Sequence, residues 1–386
     1  MEIPATYTDR EQTWLKHEIL RGYLQSWAMK LGSVARTLWY VDCFAGPWEA
    51  RAENLEDTSV AIGLHALNEA ADFWTARGKQ IRVRAVFVEA KPASFARLQE
   101  YVGENAGVVE ATTLQGHFVE RVPDIQGLLG RDPAFIFVDP TGWKGVAMRG
   151  TAPLVRVARR DVMVNVMFDH INRFKDAPLD FIRDQLRDFF GLEGADIPAG
   201  LDEEGLMRLY RQQLREHGGL RYLADIAVPV PTVDRTYFRL VVGGHDKEVL
   251  RLFRDEEARV AGRRAATVRA QAKARDMEQR TGQVGLFGGH SAPEDKPYAT
   301  RRDADLSTIR RLLPKLIGRS GGRVRFAALW SEILQEHHVT CINLSDCIRE
   351  LEGEHRVVVH RENPRARALK DGDIIELALP VPVERG

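Results

Sequence analysis

Three short segments place an acidic side chain directly after an apolar run, where a strand would end. Asp42-Cys43-Phe44-Ala45-Gly46-Pro47 follows Leu38-Trp39-Tyr40-Val41, Glu89 closes Val86-Phe87-Val88, and Asp139-Pro140-Thr141-Gly142-Trp143 follows Phe135-Ile136-Phe137-Val138. A glycine after a strand lets the backbone pass close to a ligand, and the helix that follows offers free N–H groups to a carboxylate. An acid at a strand end can accept both hydroxyls of a ribose. Taken singly, each segment also fits a plain strand-end turn, a solvated acid or a capping turn. Their common position is what points to one ligand site.

The elements that must carry these residues alternate in type. Residues 11–31 have apolar side chains at helical spacing, among them Trp14, Ile19, Leu20, Tyr23, Leu24 and Trp27. The runs TLWYVDCF, IRVRAVFVEA, VVEATTLQG, AFIFVDP and DVMVNVMFD read as five strands, with helices predicted from Thr58-Ser59 and over KPASFARLQEYVGE. AFIFVDP is apolar throughout, as expected of a strand covered on both faces. Two further runs, YLADIAVPV and TYFRLVVGG, read as a closing pair at the sheet edge. The expectation is a doubly wound, mostly parallel, Rossmann-type sheet, whose ligands bind at the carboxyl ends of the strands.

On that frame the candidate ligand-binding residues are Asp42, Phe44, Ala45, Gly46 and Glu89. A nicotinamide dinucleotide would call for G-x-G-x-x-G to hold its pyrophosphate, and only one glycine follows the first strand. S-adenosylmethionine carries no phosphate, so a single close-approach glycine suffices.

The segments YVDCFAGP, FVEA and FVDPTGW, with Ser59 opening the next helix and Lys16-x-x-Ile19-Leu20-x-x-Tyr23-Leu24 before them, resemble the three-Cys-motif partner protein (TcmP) family. The resemblance covers residues 11 to about 290. It implies a methyltransferase-like fold, S-adenosylmethionine as cofactor, and a radical S-adenosylmethionine three-Cys-motif enzyme as partner in DNA repair or modification. The wider similarity is to nucleic-acid amino-methyltransferases, in which the turn after the fourth strand binds the target amine and stacks the flipped base. It implies catalytic roles for Asp139, Pro140 and Trp143, with DNA or RNA as the target, and it implies cofactor contacts for Gln115 and His117, which stand where an acid after the third strand usually meets the adenine. The sequence departs from those motifs at Trp48, where a second glycine is usual, and at Thr141, where an aromatic residue or proline is usual. A nuclease or defence-system component is the third reading.

Residues 1–280 are assigned to the α/β domain, with 175–220 as a charged helical insertion or lid. The segment 281–300 is rich in glycine and reads as a linker. Residues 301–386 show helix, helix-turn-helix and hairpin patterns, which predict a winged helix. Candidate contacts to nucleic acid are Arg259, Arg263, Arg264 and Arg269 on the helix before the linker, and Arg361, Arg365 and Arg367 in the wing. The predicted recognition helix, NLSDCIRELEGEH, is acidic and ill suited to DNA.

Composition sets the outer limits. Lys plus Arg equals Asp plus Glu at 55 each, so no whole-protein charge favours nucleic acid, and only a local patch could. Cys43, Cys341 and Cys347 match neither a disulfide framework nor a metal motif, and no metal site is expected. The N-terminus lacks the apolar core of a signal peptide, and no run has the length of a membrane span. A cytoplasmic protein is expected.

Overall fold

The computed structural model describes residues 3–8, 10–46, 57–175, 179–229, 235–266, 268–269, 272, 296–366 and 368–378. Pro47, Trp48, Arg367 and most of the 281–300 segment lie outside the described residues. The chain divides into two compact units, Met1–Pro293 and Glu294–Gly386.

The first unit is built on a seven-stranded sheet. Its parallel strands are β1 (Thr37–Asp42), β2 (Arg82–Glu89), β3 (Glu110–Gln115), β4 (Ala134–Val138) and β5 (Arg160–Val166). The closing pair is β6 (Tyr222–Pro229) and β7 (Thr236–Gly244). The spatial order is β3-β2-β1-β4-β5-β7-β6, with β7 antiparallel to both neighbours. This is a methyltransferase-like, Rossmann-type sheet. The order reverses between β1 and β4, so their carboxyl ends open a crevice beside β2.

Helices α1 (Glu11–Gly32), α2 (Ser59–Thr75), α3 (Pro92–Asn105) and α9 (Glu248–Arg259) cover one face. Tyr23 and Trp27 of α1 meet Phe135 of β4 there, with ring centroids 5.2 and 6.0 Å apart. The Thr58 hydroxyl caps α2 by accepting from Ala61 N at 3.2 Å, as the sequence pattern predicts. The other face carries α4 (Phe118–Leu129), α5 (Met148–Val155), α7 (Asp180–Phe190) and α8 (Glu203–Gly218). Neither α4 nor α5 stands out in the sequence. Each holds an internal proline, Pro123 or Pro153, which argues locally against a helix.

The charged stretch 175–220 is not a lid. Ile182, Leu186, Phe189, Leu206, Met207, Tyr210 and Leu214 of α7 and α8 are buried in the main apolar core, and only their outer faces carry the charges. A short helix, α6 (Phe168–Phe174), leads from β5 towards them. After α9 the helix continues through a π-helical turn, Val260–Arg264.

In the second unit, α10 (Lys296–Arg319) starts inside the stretch read as linker. It is followed by β8 (Arg323–Arg325), α11 (Phe326–Glu336), α12 (Cys341–Gly353), β9 (Val357–His360) and β10 (Ile374–Leu377). The strands form a three-stranded antiparallel sheet in the order β8-β10-β9, of which β8 is absent from the sequence reading. Thr340 and Asn343 cap α12 reciprocally, which starts that helix two residues before the predicted segment.

Candidate functional site

The loops beyond β1 and β3 are pinned to the neighbouring strands by backbone bonds. Cys43 N donates to Phe137 O (2.9 Å), Ala45 N to Val88 O (2.8 Å) and Gly116 N to Glu89 O (3.1 Å). These bonds hold the strand-end residues around a cleft of about 230 Å³. Of the residues singled out in the sequence, Phe44, Gly46, Glu89, His117, Asp139 and Pro140 line it. Phe44 packs on Phe118 with centroids 5.5 Å apart, which gives the cleft an aromatic wall. Ala45 is buried, and its contribution is the backbone bond to β2.

Glu89 and Gly46 touch in the wall of this cleft. Glu89 Oε1 accepts from Lys91 N at 2.7 Å, which fixes the carboxylate at the strand end. Oε2 then occupies the place that a Cβ on Gly46 would take. Any other residue at position 46 would push the carboxylate away, so the glycine is required for this approach. Among the described residues no donor meets Oε2, which leaves it available to hydroxyls.

Three sequence candidates fall elsewhere. Asp42 lies beneath the cleft, fully buried, and its Oδ1 accepts from Phe44 N at 3.1 Å. It shapes the turn and does not line the cleft. Burial raises its carboxyl to about 6, opposed by the Ser59 hydroxyl and the Phe44 amide. Asp139 adds to the rise, and Lys16 opposes it. Gln115 is exposed at the end of β3, outside the lining, although Gly116 and His117 beside it line the cleft. Trp143 turns onto the core and packs against Phe174 at 5.5 Å, because the apolar side of α6 offers it more contact than the open cleft.

Asp139 is the acid whose surroundings were least legible. Its Oδ2 forms an ion pair with Lys16 of α1, and its Oδ1 accepts from Asn165 Nδ2 at 2.6 Å. Lys16 and Asn165 are buried, and the Lys16 ammonium also lies 5.8 Å from the Phe238 ring. Among the described residues, Asn165 Oδ1 and Asp42 Oδ2 meet no hydrogen-bond donor. The ends of β1, β4 and β5 therefore carry a polar cluster, Lys16, Asp42, Asp139 and Asn165, with these two acceptor oxygens buried in it. Lys16 belongs to the α1 pattern, but 123 residues separate it from Asp139, so no local spacing announces the pair. Lys91, Phe118, Thr141 and Lys144, which also line the cleft, follow strand ends and could have been found from position alone.

Two of the basic residues proposed for nucleic acid are engaged within the protein. Arg259 pairs with Glu256 and donates to Glu18 O at 2.9 Å. Arg361 makes two bonds to Glu352, at 2.9 and 2.6 Å, because the hairpin brings it back onto α12. Arg269 is half-buried, and Arg365 is exposed. The side chains of Arg263 and Arg264 lie outside the described set.

No protein-family model and no curated protein matches the sequence. Among solved structures, the chain is similar to the O-methyltransferase TomG from Streptomyces achromogenes in complex with SAM. The two share 13% identity over 60% of this chain and 80% of that one, with a TM-score of 0.32. It is also similar to the O-methyltransferase from Bacillus cereus in complex with SAH, at 12% identity over 58% and 80% of the two chains and a TM-score of 0.29. The SAH-bound methyltransferase PaMTH1 from Podospora anserina shares 12% identity over 64% and 98%, with a TM-score of 0.26. Likeness at that level transfers no chemistry, so the fold rests on strand order and the site on its own geometry. Among the described residues, no helix is long and apolar enough to cross a membrane, and no three His, Cys, Asp or Glu side chains group as metal ligands.

Proposed function

We propose that the first unit binds S-adenosylmethionine in the cleft between the ends of β1, β2 and β4, and that the protein is a methyltransferase-like component acting on or with nucleic acid. The observation that carries the cofactor reading is the apposition of Glu89 Oε2 and Gly46. A carboxylate at the end of the second strand, with one oxygen that meets no donor among the described residues, suits a ribose diol, and a backbone without Cβ at the end of the first suits the amino-acid moiety. Phe44, His117 and Phe118 offer apolar and edge contacts to the base. Bound there, the sulfonium supplies an electrophilic methyl group, and alignment of donor with acceptor provides most of the rate effect.

The residues of this chain then have separate tasks. Glu89 and the Gly46 turn hold the donor, and Asp42 keeps that turn in shape through Phe44 N. Asp139 stands where an acceptor amine or hydroxyl would be oriented, but Lys16 and Asn165 already engage both of its oxygens. That engagement favours a second reading, in which the protein binds the donor without transferring its methyl group and serves as the TcmP-type partner of a radical enzyme. The winged-helix reading of the second unit, whose helices and strands run in the expected order, suits either role.

Calorimetry with S-adenosylmethionine and S-adenosylhomocysteine tests the cofactor reading, and the expected result is saturable binding lost in Glu89→Ala. Absence of heat at millimolar ligand, with the protein folded, overturns it. Incubation with methyl-labelled donor and host DNA or RNA separates the two roles: incorporated label supports the enzyme, and donor binding without incorporation supports the partner.

A further inference from the structure

In the second unit the arginines and acids of α12 and the hairpin cancel one another. Asp346 pairs with Arg349, Glu350 and Glu354 hold Arg310, and Glu352 holds Arg361. The helix that would be expected to read a groove therefore offers no uncompensated cation. Another surface does. Arg311, Lys315 and Arg319 of α10 are exposed at intervals of four residues, so they share one helix face and span about 12 Å. The chain then turns at Gly321 and Gly322, both with positive φ, into β8, where Arg323 and Arg325 are again exposed. Among the described residues none of these five cations makes an ion pair. Arg311 reaches only the Thr308 hydroxyl, at 3.4 Å.

We infer that Arg311, Lys315 and Arg319, continued by Arg323 and Arg325, form a contact surface for the phosphate backbone of duplex DNA. This inference rests on the nucleic-acid half of the function proposed above and is independent of the cofactor cleft. Five cations without an ion pair among the described residues, in one short stretch of a chain whose total charge is zero, are what a polyanion selects, since each phosphate neutralised releases a counterion. Single strands are bound by stacking bases on exposed aromatic side chains, and the aromatic residues here, Tyr298, Phe326 and Trp330, are all buried. Duplex RNA is recognised through its 2′-hydroxyls as well as its phosphates. Of the exposed positions from Arg311 to Arg325 only Ser320 carries a neutral hydroxyl, and it donates to Leu316 O at 3.3 Å. The contact is sequence-independent, and it supplies orientation and affinity without base readout.

Fluorescence anisotropy of a labelled duplex DNA titrated with the full-length chain, over a salt series, tests it. The triple variant Arg311→Gln, Lys315→Gln, Arg319→Gln is expected to bind more weakly. Its plot of log affinity against log salt should be flatter by roughly 2–3, at about 0.9 for each phosphate that the variant no longer neutralises. The charge-preserving variant Arg311→Lys, Arg319→Lys should keep the original slope, and Arg361→Gln should leave it unchanged. S-adenosylhomocysteine binding and the circular-dichroism thermal melt of the triple variant should both be unaltered, so loss of the stripe is told apart from failure of the cofactor reading and from unfolding of the second unit. An unchanged slope in the triple variant overturns the inference. So does binding confined to duplex RNA, or to anionic phospholipid vesicles, with none to DNA.

Discussion

The carboxylate of Glu89 rests against the backbone of Gly46, on the end of the adjacent strand, in the space where every other amino acid carries its Cβ. Two residues 43 positions apart are thereby made interdependent. The arrangement is possible because β1 and β2 are parallel and in register from Thr37↔Arg82 to Asp42↔Phe87, which brings both carboxyl ends to one edge.

Gly46→Ala should therefore act through Glu89. The added methyl displaces Oε2, and S-adenosylhomocysteine affinity is expected to fall by about tenfold or more, which is about 1.4 kcal/mol. The fold should persist, because φ at Gly46 is not in the left-handed region and the atom that must move is the end of a flexible side chain. Calorimetry alongside a thermal melt checks both halves, and undiminished affinity would detach Gly46 from the site.

Lys16→Met should expose what the α1 ion pair does. It leaves Asp139 with Asn165 alone and removes the nearby cation that counters the rise of Asp42. Because the Asp139 side chain is 17% exposed, the expected loss is about 2 kcal/mol, below that for a fully buried pair. Adding Asp139→Asn should restore most of it, and a double-mutant cycle in urea measures the coupling. Additive effects would show that the pair is incidental.

Much of this site was legible in the sequence, since Phe44, Gly46, Glu89, Asp139 and Pro140 sit close to the end of an apolar run, and His117 follows the more polar third strand. Period and punctuation locate strand ends, and parallel topology gathers them. What could not be read is which way each side chain turns. Trp143 prefers Phe174, Arg361 returns to Glu352, and Lys16 crosses to Asp139, all through contacts set by tertiary packing. The same limit explains α7 and α8. Their charges suggested an exposed insertion, while the buried face that decides their position is spread over residues three and four apart.

Arg239 shows the opposite extreme from the surface pairs. It lies on β7 with its side chain 1% exposed, bonded to Asp225, Glu203 and Glu204, and Arg211 pairs with the same Asp225 at 3.2 Å. The carboxylates around it hold its guanidinium above the ordinary arginine value in spite of burial. Arg239→Met leaves a buried carboxylate short of its partner and should cost about 3–5 kcal/mol. Equilibrium unfolding in urea measures it, and a loss under about 1 kcal/mol would mean that Arg211 alone can satisfy Asp225.

Stability should fall as pH rises from about 4 to about 7. Desolvation raises Asp161 to about 7, against the hydrogen bond from Tyr23 at 3.1 Å, and raises Asp42 to about 6. Both pKa values are higher in the folded chain than in the unfolded one. Between the unfolded and folded values the native state holds more protons, so each unit of rising pH favours unfolding. Below about pH 4 both states are protonated and above about pH 7 both are ionised, and there these two groups contribute no further slope. Asp161→Asn keeps an acceptor for the Tyr23 hydroxyl and removes the charge. It should stabilise the protein at about pH 8 by an amount on the order of 2 kcal/mol and change little at about pH 4. Thermal melts of both proteins across that range decide the matter, since parallel curves would show that Asp161 titrates as an ordinary carboxyl.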